Sequence, residues 1–203
     1  MHFTLTAFFE ELKGFGWVQW LAFLSGVLYI VYASKDKVIC WLWGILSSSL
    51  WAYASFFQLK LFSDSILQII YIGMGIWGWY RWYHKNNSQI VNITTLNSRG
   101  WLISIVTSTL VSIILTYFMS KTKAAFPAMD AFLTVFSINA TILLIQKKIE
   151  NWWWWIVIDL INIPVFIIRG GHLFALLFII YTILAIKGLF EWNKKLNLAT
   201  SFQ

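Results

Sequence analysis

The stretch WWWWIVIDLINIPVFIIR, residues 152–169, decides what kind of fold this chain can have. Before its terminal arginine it carries one ionisable side chain, Asp159, in an otherwise aromatic and aliphatic run broken only by Asn162 and Pro164. A hydrocarbon core of ~30 Å needs ~20 such residues in a helix, with a range of about 17 to 25. Residues 152–169 therefore read as a membrane span. Working outward, six further runs of this kind flank it: Trp17–Ala33, Val38–Gln58, Asp64–Tyr83, Gly100–Ser120, Ala128–Gln146 and His172–Trp192. Short polar breaks such as Ser34-Lys35-Asp36-Lys37 separate them, and His84–Arg99 is the only break of any size.

Composition agrees. Of 203 residues, 60% are hydrophobic and 11% charged, and the mean hydropathy is +0.72. A soluble domain runs nearer 25% charged, and disordered chains are poor in aromatic and apolar residues. The single cysteine, Cys40, excludes an internal disulfide and a thiolate metal site. His2, His84 and His172 have no ligand spacing, so neither metal nor cofactor is expected. The net charge of +7 sits between apolar runs rather than in a stripe, which points to membrane topology and not to nucleic acid.

Lys and Arg fall 5 on one side of the seven spans and 10 on the other. The richer side faces the cytoplasm by the positive-inside rule, which puts the amino terminus outside and the carboxyl terminus inside. The first sixteen residues are not expected to be a cleaved signal, because Glu10 and Glu11 stand where a signal is basic. With Phe8, Phe9 and Lys13 they read as an interfacial segment.

The chain also repeats itself. A slide of 110 residues without a gap lays Lys37 on Lys147, Trp43 on Trp153, Leu50 on Leu160 and Leu67 on Leu177. It also lays Ile69-Ile70-Tyr71 on Ile179-Ile180-Tyr181, and Gly78, Trp82 and Lys85 on Gly188, Trp192 and Lys195. Residues 17–85 and 127–195 then form two three-helix units. They are joined by the loop and linker helix of residues 86–126 and followed by a tail, residues 196–203. An odd unit with one linking span leaves both units parallel, with a central crevice between them.

Asp159 lies about 10 Å below Trp152 at 1.5 Å per residue. A buried aspartate in a span costs about 2.5–3.5 kcal/mol and is a functional candidate facing the protein interior. Trp152, Trp155 and Asp159 share a ~60° sector of one helix face. Two indoles above a carboxylate suit a flat, cationic, aromatic ligand, each ring adding roughly 0.5–2 kcal/mol by cation–π attraction. The same tryptophans also suit interfacial anchoring, and both readings stand. Pro164 removes the backbone bond to the Leu160 carbonyl and is a candidate hinge beside the site. Asn162 lies partly on the same face. In the second span Ser47, Ser48 and Ser49 reach the depth of Asp159, followed by Trp51.

Lys148-Ile149-Glu150-Asn151-Trp152, Trp152-x-x-Trp155-x-x-x-Asp159, Ile163-Pro164 and Gly78-Trp79-Tyr80-x-Trp82 resemble the PnuC family of bacterial vitamin transporters. The likeness runs from about Trp17 to Lys195 and is most specific from Lys147 to Arg169. It implies an all-α membrane protein with seven transmembrane helices in a 3+1+3 parallel-repeat, SWEET-like plan. It also implies facilitated diffusion of an unphosphorylated vitamin across the bacterial inner membrane, cytoplasmic phosphorylation that traps the vitamin, and a homotrimer. The nicotinamide riboside members carry asparagine where this chain has Asp159, a departure that resembles the thiamine branch, PnuT. Thiamine is thus the expected substrate and nicotinamide riboside the alternative. By the same resemblance Trp152, Trp155 and Asp159 bind substrate, with Gln68, Tyr71 and Tyr181 as further crevice positions. No enzyme is expected, since there is no His-Glu-x-x-His, no Gly-x-Ser-x-Gly and no second deep aspartate.

Overall fold

The computed structural model describes residues 11–58, 62–86, 93–122 and 126–200. Phe8, Phe9 and Glu10 of the interfacial segment, and residues 87–92 of the long loop, lie outside them. The described chain is helical throughout its long elements. These are α1 (Trp17–Ser34), α2 (Cys40–Tyr53), α3 (Phe62–Asn86), α4 (Ser98–Met119), α5 (Pro127–Ile145), α6 (Glu150–Ile168) and α7 (His172–Thr200). Each expected span coincides with one helix. Five of them, α1, α4, α5, α6 and α7, are long and apolar enough to cross a membrane alone. Helix α2 has 14 residues and continues into a π-helical turn, Ala54–Gln58.

Helix α2 packs between α1 and α3, and α6 between α5 and α7. The two groups meet where α1 touches α7 and where α3 touches α5, while α4 rests on α5. Every fourth residue along one face of α4, Ser104, Ser108 and Ser112, is buried, and small side chains there allow close helix approach. Ser104 and Asn139 exchange hydrogen bonds of 3.2 and 2.9 Å across that contact.

Equivalent residues in the two groups make equivalent contacts. Trp41 stands edge-on to Trp82 at 5.4 Å and 87°, and Trp152 edge-on to Trp192 at 5.5 Å and 88°. A Cβ on Gly78 would come within 2.5 Å of the Trp41 ring, and one on Gly188 within 2.7 Å of Trp152. Trp82 Nε1 donates to the Ile145 carbonyl and Trp192 Nε1 to the Ala33 carbonyl, both at 3.1 Å, so each indole ties one group to the other.

These landmarks correct the gap-free slide. Gly78 and Gly188 do differ by 110, but Trp41 and Trp152 differ by 111. Lys37 therefore answers to Lys148, not Lys147, and Asp159 to Ser48. The first group holds one more residue between those landmarks, and the π-helical turn ending α2 is a place where an extra residue fits without breaking the helix.

The same register relates two turns. Asp36 and Lys147 both adopt left-handed backbone, φ 60° and 56°, without being glycine. In each turn the next amide reaches back to close the preceding helix, Lys37 N to Tyr32 O at 3.0 Å and Lys148 N to Leu143 O at 2.8 Å. The turns then meet: Lys147 Nζ pairs with Asp36 Oδ1 at 2.7 Å and lies 4.4 Å above the Trp82 ring. Residues 93–97 strap this end of the molecule. Thr94 exchanges backbone bonds with Lys147 and Ile149, and Leu96 N donates to the Glu150 carboxylate at 2.7 Å.

Candidate functional site

Helix α6 carries Asp159 into the interior between the two groups, where it is 2% exposed. Its Oδ1 is buried with no hydrogen-bond partner. Among the described residues no lysine, arginine or histidine pairs with it. A buried carboxylate oxygen without a donor is costly, so the arrangement is one that an incoming cation or donor relieves.

Two helices bring hydroxyl groups toward this carboxylate. Tyr71 of α3 and Tyr181 of α7 both lie within electrostatic range of Asp159. The Tyr71 hydroxyl sits at Ser137 of α5. The Tyr181 hydroxyl fills the place that a Cβ on Gly26 of α1 would take, beside Ser47. Gly26 and Ser137 are equivalent positions at the offset of 111, so the two tyrosines dock alike on the first helix of the opposite group. Tyr29 of α1 joins the cluster, within reach of both Tyr71 and Tyr181.

The expected site residues divide. Asp159, Tyr71 and Tyr181 come together. Asn162, one turn beyond Asp159, is buried and donates to the Ile158 carbonyl at 3.0 Å. Gln68 is half-buried one turn before Tyr71 on α3. Trp155 is half-buried and packs at the edge of two core clusters, so part of its ring remains open.

Trp152 differs, at 2% exposed and wedged between Gly188 and Trp192. Its partner by repeat, Trp41, is held the same way against Gly78 and Trp82. Trp152 is thus enclosed by packing, whereas Trp155 on the same helix face is partly exposed.

Trp51 packs on Phe174 at 5.3 Å and on Phe15 at 6.5 Å, toward the end away from the Asp36–Lys147 turns. From there Phe174, Phe166 and Phe178 stack in sequence, at 5.2 and 5.3 Å, down to Tyr181 at 6.1 Å. The site thus lies between an aromatic column on one side and four interlocked tryptophans on the other. Pro164 sits within α6, which runs on to Ile168, and is exposed. No group of three metal-ligating side chains gathers among the described residues.

Sequence reasoning missed Tyr29 and Ser137. An aromatic or a serine inside an apolar span is commonplace, and only the corrected register marks these two.

Comparison with known proteins places this geometry in a family. A family model described as nicotinamide mononucleotide transporter matches residues 16–194. The nicotinamide riboside transporter PnuC of Escherichia coli (strain K12) is 27% identical, over 87% of this chain and 84% of its own length. That of Neisseria mucosa is 25% identical, over 88% of this chain and 72% of its own. The riboflavin/roseoflavin transporter RibM of Streptomyces davaonensis is 23% identical, over 87% of this chain and 84% of its own length. In fold, the chain is similar to a crystal structure of the vitamin B3 transporter PnuC. The TM-score is 0.74 at 24% identity, covering 89% of this chain and 82% of that one. With a matching model over nearly its whole length, this multi-pass membrane protein belongs to the PnuC family of vitamin transporters, the nicotinamide mononucleotide transporter family.

Proposed function

We propose that this chain carries a flat, positively charged vitamin across the membrane by facilitated diffusion, with Asp159 as the counter-charge and Trp155 as a stacking face. The unpartnered buried oxygen of Asp159 carries this reading. Tyr71, Tyr181, Gln68 and Asn162 complete the polar lining. Nicotinamide riboside is the first candidate, because relatives covering most of this chain are named for it. It bears a cationic pyridinium ring, which Asp159 suits.

Thiamine is the second reading, and one observation favours it. This chain has a carboxylate at Asp159, where the nicotinamide riboside members it resembles have asparagine, and a thiazolium gains more from a full charge than from an amide dipole. Riboflavin, a neutral flavin, gains least.

The architecture we infer is a 3+1+3 plan, with parallel units at residues 17–85 and 127–195 and α4 linking them. The paired contacts of Trp82 and Trp192 support it, as does the meeting of the turns at Asp36 and Lys147. On this plan α2 and α3 also span the bilayer, and Pro164 is the hinge candidate. The amino terminus lies outside, the turns at Asp36 and Lys147 are cytoplasmic, and three copies assemble in the bacterial inner membrane. Cytoplasmic phosphorylation then retains the vitamin.

Titration of intrinsic tryptophan fluorescence with nicotinamide riboside, thiamine and riboflavin in parallel tests the reading. Saturable quenching by a cationic vitamin, lost in Asp159→Ala, is the expected result. Equal binding of all three by wild type and variant would overturn it.

A further inference from the structure

The register correction exposes an exchange of ring positions between the two groups. At an offset of 111, Gly44 of α2 answers to Trp155 of α6, and Tyr29 of α1 answers to Ala140 of α5. In the second group the large ring comes from α6 and the neighbouring helix is small, with Trp155 packed on the cluster that contains the fully buried Ala140. In the first group the sizes are reversed. A Cβ on Gly44 would stand 3.0 Å from the Tyr29 ring, so the phenol occupies the space an α2 side chain would need. Each group thus supplies one aromatic ring at the equivalent place, from a different helix.

Tyr29 also belongs to the interior where Asp159 lies. It stands within electrostatic range of Tyr71 and Tyr181, each of which lies within electrostatic range of that carboxylate. Tyr29, Tyr71 and Trp155 border the same core cluster, each only half-buried. A tyrosine needed solely as filler would not require glycine opposite it at Gly44, since a larger α2 residue with a smaller α1 residue serves equally, as α5 and α6 demonstrate.

We propose that Tyr29 is a substrate-contacting residue that sets specificity, the second aromatic wall of the site. The ligand ring is held between the indole of Trp155 and the phenol of Tyr29, with Asp159 below. The class of ligand it fits is a planar heteroaromatic cation one or two rings wide. The inference rests on the reading of Asp159 and Trp155 as the substrate site.

Isothermal titration calorimetry of the purified full chain with nicotinamide riboside and with thiamine separates the two claims. Tyr29→Phe keeps the ring and should bind within about twofold of wild type. Tyr29→Leu removes the π face and should weaken the better ligand by about tenfold. Tyr29→Met, of similar volume but flexible, repeats the test should the leucine variant fold poorly. Wild-type affinity in either Tyr29→Leu or Tyr29→Met, while Trp155→Leu loses binding, overturns the role of Tyr29 and leaves the site intact. Wild-type affinity in both Trp155→Leu and Asp159→Asn would instead remove the site on which it rests.

Discussion

Two tryptophans three residues apart on one helix face can have different surroundings, and Trp152 and Trp155 are such a pair. Trp152 is enclosed by Gly188 and Trp192, so its truncation leaves a void that rigid neighbours cannot fill. Trp152→Ala should cost about 3–5 kcal/mol of stability and lower the melting temperature in detergent. Trp155→Ala should cost much less stability and lose vitamin binding instead, which thermal melts and titrations on the same preparations will separate. Gly188→Ala should destabilise by about 1–3 kcal/mol through overpacking, since its Cβ would lie 2.7 Å from a fully enclosed indole. Asp159 stood out in the sequence because an acid deep in an apolar run is costly to insert in a membrane. The division between Trp152 and Trp155 did not, because helical spacing reports which face a residue occupies but not what waits opposite. The neighbours of Trp51 were hidden for the same reason: depth along α2 does not say which end of α7 lies beside it.

At the scale of elements, the seven long helices among the described residues were readable from runs of apolar residues. The finer register was not. One extra residue between Trp41 and Gly78 is invisible among apolar matches, and it emerges only when rings of both groups are seen to nest in the same glycines. The stretch before α1 shows how a charged residue can serve a distant helix. Glu11 accepts the Leu173 amide at 3.0 Å and pairs with His172, closing the amino-terminal end of α7. Partial burial raises its carboxyl, but those hydrogen bonds outweigh it and hold the group below its ordinary value of 4.5. A depressed carboxylate stabilises above its unfolded value and loses that contribution as pH falls through the lowered folded one. Glu11→Gln should therefore lower stability at neutral pH by about 0.3–1 kcal/mol. The gap to wild type should close as pH drops below about 4.5 and onward through the lowered folded value. Thermal melts of both proteins between neutral and acid pH check this.

For the whole molecule, a buried ion pair ties the two groups together at the end where the turns meet. Lys147 is 3% exposed, its ammonium held by Asp36 at 2.7 Å and by the Trp82 ring at 4.4 Å. Lys195 Nζ reaches Asp36 Oδ2 at 3.5 Å from α7. Removing one member of a buried pair strands the other, at a cost of about 3–5 kcal/mol. Lys147→Ala should fall toward the lower part of that range, because Lys195 still screens Asp36, and a denaturation midpoint will show it. The parallel plan was suggested by the repeat, yet this contact was hidden. The gap-free slide set Lys147 opposite Lys37, a like-charged neighbour, rather than opposite the aspartate it grips.

The two left-handed turns have the same backbone shape and opposite sign. A free-standing three-helix half pairing with its own copy would bring two aspartates, or two lysines, face to face at that spot. Within one chain the two turns are free to carry opposite charges, and with them neither group can stand in for the other at this contact.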